Sequence, residues 1–171
     1  MLKVMFDTNA NDAAGLDQDF RNLLIWAQDN KIIELVTTHI QIDQIGAIED
    51  CDKREIPGCI NVSAGTTETC GYIPGISKYG WARQAPKENF GEFLGNKIHN
   101  RRNLSDALIA ITAKEKADIF VTDDGPLFKR TQEKVKTLKT FKSIEFKKFL
   151  ENLKFQMENI IIRPKVRGKI I

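Results

Sequence analysis

The sequence predicts an α/β fold, a three-layer α/β/α sandwich around a mostly parallel central sheet. Two patterns predict it. Short apolar runs alternate with stretches of helical periodicity, which is the signature of βαβ units. The apolar runs at residues 2–6 and 118–122 also lead directly into acidic residues, Asp7 and Asp123-Asp124. In open parallel sheets that carboxyl edge is where sites are built.

Residues 2–6 read as the first strand. Residues 16–30 form a helix, with Phe20, Leu23, Leu24 and Ala27 at helical spacing. Residues 32–37 are a second strand, built on Ile32, Ile33, Leu35 and Val36. Thr38 is placed to cap a helix running to about Asp50, with Ile45 and Ile48 on its buried face. Residues 53–96 hold seven of the eleven glycines and three of the five prolines, so they read as a loop-rich insertion with one helix near 88–94. Regular patterning returns in a helix at 104–116, with Leu104, Ala107, Leu108 and Ile111 on one face. A strand at 118–122, a short helix at 127–134 and a strand at 135–141 follow. Ser143 caps a last helix, expected to reach about Phe155.

At 171 residues the chain is expected to be a single domain. Three cysteines, an odd number, argue against a closed disulfide framework. Cys51, Cys59 and Cys70, even with His39 or His99, lack the paired Cys-Xaa-Xaa-Cys spacing of a structural zinc site. Both histidines are expected at the surface or in caps. Lys3 and Asp7 interrupt any apolar leader, and no run is long enough to span a membrane. A cytoplasmic location is therefore expected. The tail at 159–171 carries Arg163, Lys165, Arg167 and Lys169 and no acid. Its +4, set against a formal net charge of +3, leaves −1 for residues 1–158.

Four acids draw the chemistry together. Asp7 ends the first strand, Asp43 lies in the helix after the second, Asp106 opens the helix before the 118–122 strand, and Asp124 follows that strand. Helices antiparallel to the strands bring all four to the carboxyl edge. Two carboxylates about 5 Å apart repel by roughly 3 kcal/mol at an effective dielectric near 20. A helix N-terminus recovers only about 0.3–1 kcal/mol. A hard divalent cation relieves such repulsion and selects oxygen ligands. Taken singly, each acid has a plain structural role open to it: a turn at Asp7, a dipole partner at Asp106, a turn pair at Asp124-Gly125, and a solvated helix position at Asp43.

Asp7-Thr8-Asn9 after a strand, Ser105-Asp106-Ala107-Leu108-Ile109-Ala110 opening a helix, and Val121-Thr122-Asp123-Asp124 closing the next strand together resemble the PIN-domain nucleases, a family that includes the VapC-type toxins. The resemblance covers roughly residues 1–50 and 100–142. It implies catalytic positions for Asp7, Asp43, Asp106 and Asp124, with Asp43 where the family usually has Glu. It implies metal ligation by Asp7, Asp106 and Asp124, with Asp123 beside them, and polar support from Thr8, Asn9 and Thr122. The implied cofactor is Mg²⁺ or Mn²⁺ and the implied reaction is hydrolysis of RNA phosphodiester bonds. A toxin reading adds an antitoxin protein and a second copy of the chain as partners.

The glycine-rich insertion departs from the compact family pattern. Its Tyr72, Tyr79 and Trp81, interleaved with Lys78 and Arg83, could stack bases; the expectation is instead a small satellite core. Lys97, Arg101 and Arg102 precede Asp106 and are candidate backbone contacts for RNA, as are the tail residues Arg163, Lys165, Arg167 and Lys169. Two other readings stay open: a non-catalytic PIN-like module binding RNA or protein, and a phosphoryl-transfer protein. The latter fits less well, since Asn9 stands where a phosphatase of the haloacid-dehalogenase type would carry a second Asp.

Overall fold

β1 (Leu2–Phe6) is the central strand of a five-stranded sheet in the computed structural model, which describes residues 1–49, 64–83 and 101–162. It pairs in parallel with β2 (Ile33–Thr38) on one side and with β6 (Ile119–Val121) on the other. β3 (Gly65–Thr67) and β7 (Lys139–Phe141) complete the order β3-β2-β1-β6-β7, with every pairing parallel. The chain builds outward from β1 in one direction and then returns to build in the other. The gap between β1 and β6 is therefore the topological switch point.

Side chains alternate across the pleat and supply two cores. Val4, Phe6, Ile33, Leu35, Ile119 and Val121 face α1 (Thr8–Leu16), α2 (Gln18–Asp29) and α6 (Ser143–Ile162). Met5, Val36 and Phe120 face the opposite layer of α3 (His39–Gly46), α4 (Arg101–Lys116) and α5 (Gly125–Lys134). Both faces are covered, as a parallel sheet requires. The expected three-layer α/β/α fold is what the chain adopts.

An aromatic cluster organises the first core. Phe6, Phe20 and Phe146 meet with ring centroids 5.7–6.3 Å apart, and Phe141 and Phe149 extend the stack. α1 has no counterpart in the sequence reading. It buries Ala10, Ala14 and Gly15 rather than large side chains, so it shows little apolar periodicity. Small residues let it pack closely against the sheet edge.

α3 begins where Thr38 was expected to cap it. The Thr38 hydroxyl accepts from the Gln41 N–H, and the Gln41 side-chain oxygen accepts in return from the Thr38 N–H, which forms a capping box. The Gln41 amide also donates to the Phe6 carbonyl, tying α3 to the end of β1. The helix stops at Gly46, short of the expected end, while α6 runs past Phe155 to Ile162.

Within the insertion, the described residues 64–83 are more structured than a loop. Residues 65–67 join the main sheet as an edge strand, and β4 (Thr69–Cys70) pairs with β5 (Ala82–Arg83) in a small parallel ribbon. The ribbon lies against α4, where the Cys70 N–H donates to the Thr112 hydroxyl at 3.0 Å. That contact explains why residues 107–113 of α4 are buried all the way round instead of on one face. Ile73 and Ile76 pack inward, whereas Tyr72, Tyr79 and Trp81 are exposed, so the expected aromatic satellite core does not form. Cys70 is buried, and His39 is buried rather than superficial. Cys51, Cys59, His99 and the expected helix at 88–94 lie outside the described residues. Among the described residues no helix is long and apolar enough to cross a membrane.

Phe146 is fully buried between both flanking Phe layers. Phe146→Ala is expected to cost about 3–5 kcal/mol of stability. Urea denaturation measures this as a fall in midpoint at unchanged slope.

Candidate functional site

Asp7 follows the last residue of β1, with its backbone N–H on the Val121 carbonyl at 2.8 Å. It is the N-cap of α1, and its side chain turns inward with only 2% exposure. One carboxylate oxygen accepts from the Thr8 N–H at 2.8 Å, and the other accepts from the Thr122 hydroxyl at 2.9 Å. The Thr122 hydroxyl in turn accepts from the Asp124 N–H at 3.2 Å. One threonine thus ties the acids from β1 and from the end of β6 together.

Burial pushes the Asp7 carboxyl up to about 6. The Thr122 and Thr8 hydrogen bonds pull in the opposite direction, and the charges of Asp124 and Asp123 add a further upward push. The Asp124 charge thus adds to the cost of ionising Asp7 across the switch point.

Asp7 opens onto a cleft of about 490 Å³ at the carboxyl edge. Asp106 and Ser105 reach it from α4, Thr8, Asn9 and Asp12 from α1, and Gln44 from α3. Thr8 donates its hydroxyl proton to the Gln44 side-chain oxygen at 2.6 Å, which fixes that amide against the cleft wall. Of the acids expected here, Asp7 and Asp106 line one cleft, and Asp124 sits beside Asp7 through Thr122. The Asp124 carboxylate caps α5, accepting from the Leu127 N–H at 2.6 Å.

Asp43 and Asp123 are placed differently. Asp43 is not among the cleft-lining residues; its carboxylate binds the Lys78 ammonium at 2.6 Å. The next residue, about 100° further round the helix, is Gln44, which takes the cleft position. Asp123 accepts from the Ser143 N–H at 3.0 Å and the Ser143 hydroxyl at 2.6 Å, so both its oxygens serve the start of α6. Asp12 and Gln44 are cleft residues that the sequence reading missed. Partial desolvation raises the Asp12 carboxyl above its ordinary value. Asp12 was visible as an acid five residues beyond Asp7, but its position depends on α1, which carried no clear helical signal. Arg101 and Arg102 fall in the first turn of α4, whereas Lys97, Arg163, Lys165, Arg167 and Lys169 lie outside the described residues.

The polar side chains lining the cleft are three carboxylates, two amides and two hydroxyls, each with an oxygen to offer, which suits a hard divalent cation. As the side chains stand, no three His, Cys, Asp or Glu among the described residues are gathered closely enough to hold an ion. Asp7 and Asp106, with Asp124 behind Thr122, are the acids that would hold one.

Asp7 has a direct consequence for stability. Its folded value of about 6 lies above the ordinary 3.8, so its favourable contribution is full below about pH 4 and is lost as pH rises through about 6. In metal-free buffer Asp7→Asn is expected to raise stability by about 1–3 kcal/mol at pH 7. The gain should shrink toward zero at pH 4, and urea melts at the two pH values measure it. Asp123→Ala is expected to cost about 1–2 kcal/mol through the lost contacts to the start of α6, read as a lower urea midpoint.

Comparisons with protein-family models, curated proteins and solved structures returned no match for this chain.

Proposed function

We propose that this protein is a metal-dependent endoribonuclease of the PIN type that hydrolyses RNA phosphodiester bonds. The observation that carries the reading is the convergence of Asp7, Asp106 and Asp12 on one cleft at the switch point of a parallel sheet, with Asp7 desolvated beside Asp124. A parallel sheet places ligand sites there. A buried carboxylate held beside partly exposed like charges is a common mark of functional sites.

A bound Mg²⁺ or Mn²⁺ would supply Lewis-acid stabilisation of the phosphate and a more acidic bound water. The chain's own residues perform the rest. Asp7 presents an electron-rich carboxylate whose orientation is fixed by Thr8 and Thr122. Asp106 faces it from α4. The Gln44 amide, held by Thr8, offers a neutral hydrogen-bonding group to a phosphate or ribose. Ser105, at the same cleft, supplies a hydroxyl for the same purpose.

The toxin reading, with an antitoxin protein and a second copy as partners in the cytoplasm, belongs to this proposal. A second reading, a non-catalytic module that binds RNA or protein, draws on one observation: Gln44 occupies the cleft where a fourth carboxylate was expected from α3. Metal binding separates the two readings.

Asp106→Asn is expected to lower Mn²⁺-dependent cleavage of a mixed RNA pool by at least about 100-fold. Its urea midpoint should stay near that of wild type. Wild-type protein with neither cleavage nor calorimetric Mn²⁺ binding would favour the non-catalytic module.

A further inference from the structure

We propose that residues 72–81 form a docking platform for single-stranded RNA, whose unpaired bases stack on the exposed rings of Tyr79 and Trp81 while the strand continues into the acidic cleft. The proposal deepens the ribonuclease reading and rests on it for the choice of RNA.

The segment sorts its apolar residues by type. Its aliphatics, Ile73 and Ile76, pack inward against the core. Its rings point out: Tyr79 is 97% exposed, Tyr72 54% and Trp81 48%. Patches that dock proteins carry an apolar centre that is fully buried on binding. Isolated flat rings among polar neighbours suit bases, because every base has a face to stack.

The backbone that carries the rings is held in place, and so is the Trp81 indole. The Trp81 carbonyl accepts from the Thr69 N–H at 2.9 Å, and its indole lies 6.3 Å from the buried His39 ring. The Lys78 N–H donates to His39 Nε2 at 3.2 Å. Gly80, at φ 82°, makes the turn between Tyr79 and Trp81 in a conformation that other residues adopt only with strain. A fixed platform loses less entropy on binding than a flexible one.

Position and charge favour a nucleic acid running to the cleft. Lys78 binds Asp43, and the next residue of α3, Gln44, lines the cleft, so platform and site are fastened to adjacent residues of one helix. The Lys78 side chain is 55% exposed, and an ammonium has three donors of which Asp43 takes one. The remaining donors are available to a phosphate between stacked bases.

The test uses Trp81 as its own reporter. Trp26→Phe leaves Trp81 as the sole tryptophan, and Asp7→Asn in the same chain prevents cleavage during the titration. A mixed-sequence RNA of about ten nucleotides is added single-stranded, and then as a duplex of the same sequence. The single strand is expected to quench Trp81 fluorescence and the duplex to leave it unchanged. Adding Tyr79→Ala, at a site with no packing role, is expected to weaken the single-strand affinity on the order of tenfold. Absent quenching, or equal quenching by duplex, would overturn the platform. Wild-type cleavage is assayed alongside: cleavage without quenching removes the platform and leaves the nuclease, while quenching without cleavage keeps the platform and removes the nuclease.

Discussion

The Asp7 carboxylate sits at the carboxyl end of the central strand, only 2% exposed, where water solvates it poorly. Everything around the cleft is arranged to hold it there. The Asp7 N–H pairs with Val121, so β1 and β6 must keep their register for the Thr122 hydroxyl to reach the carboxylate. The same hydroxyl receives the Asp124 N–H, so the turn into α5 is set by the same contact. Thr8 closes the other oxygen and grips Gln44 across the cleft, which links α1 to α3. A buried charge stabilised by two hydrogen bonds and opposed by neighbouring acids is a poor structural bargain. It is a good arrangement for a group meant to meet a cation or to exchange a proton.

The insertion changes how the second layer is built. In a bare α/β sandwich α4 would bury one stripe against the sheet and leave the other to solvent. Here β4 and β5 cover the outer stripe, and Cys70 bonds Thr112 through the backbone. Ile73 and Ile76 supply the apolar contact, which leaves Tyr72, Tyr79 and Trp81 without a core to enter. The Lys78–Asp43 pair and the His39 contact then fasten the ring-bearing turn to α3. Asp43 thus anchors the turn instead of joining the acidic cleft, and the neutral Gln44 faces that cleft.

The strands were legible as short continuous apolar runs, and the large helices by apolar residues at helical spacing. Val4, Phe6, Ile33 and Leu35 alternate as a parallel strand pair should, and Asp7, Asp106 and Asp124 fall where strand ends and helix starts put them. The misses share a cause: each depends on contacts with no sequence period. α1 is helical on alanines and a glycine. β3 reads Gly-Thr-Thr and exists because β2 offers an edge to pair with. Asp43 and Gln44 are neighbours on α3, and nothing in the local sequence marks which of the two lines the cleft. Asp123 resembles its neighbour Asp124 in every local respect, and only the return of Ser143 to the sheet edge separates their roles.

Asp7 is a desolvated acid at the cleft, and its own titration tests the proposed cation site most directly. Carboxyl ¹³C NMR of the metal-free protein should place Asp7 near 6. Saturating Mg²⁺ should then drive it down into or below the ordinary carboxylate range, since a bound cation favours the charged form. An Asp7 that titrates in the ordinary range without metal, or one that ignores Mg²⁺ altogether, would contradict the account.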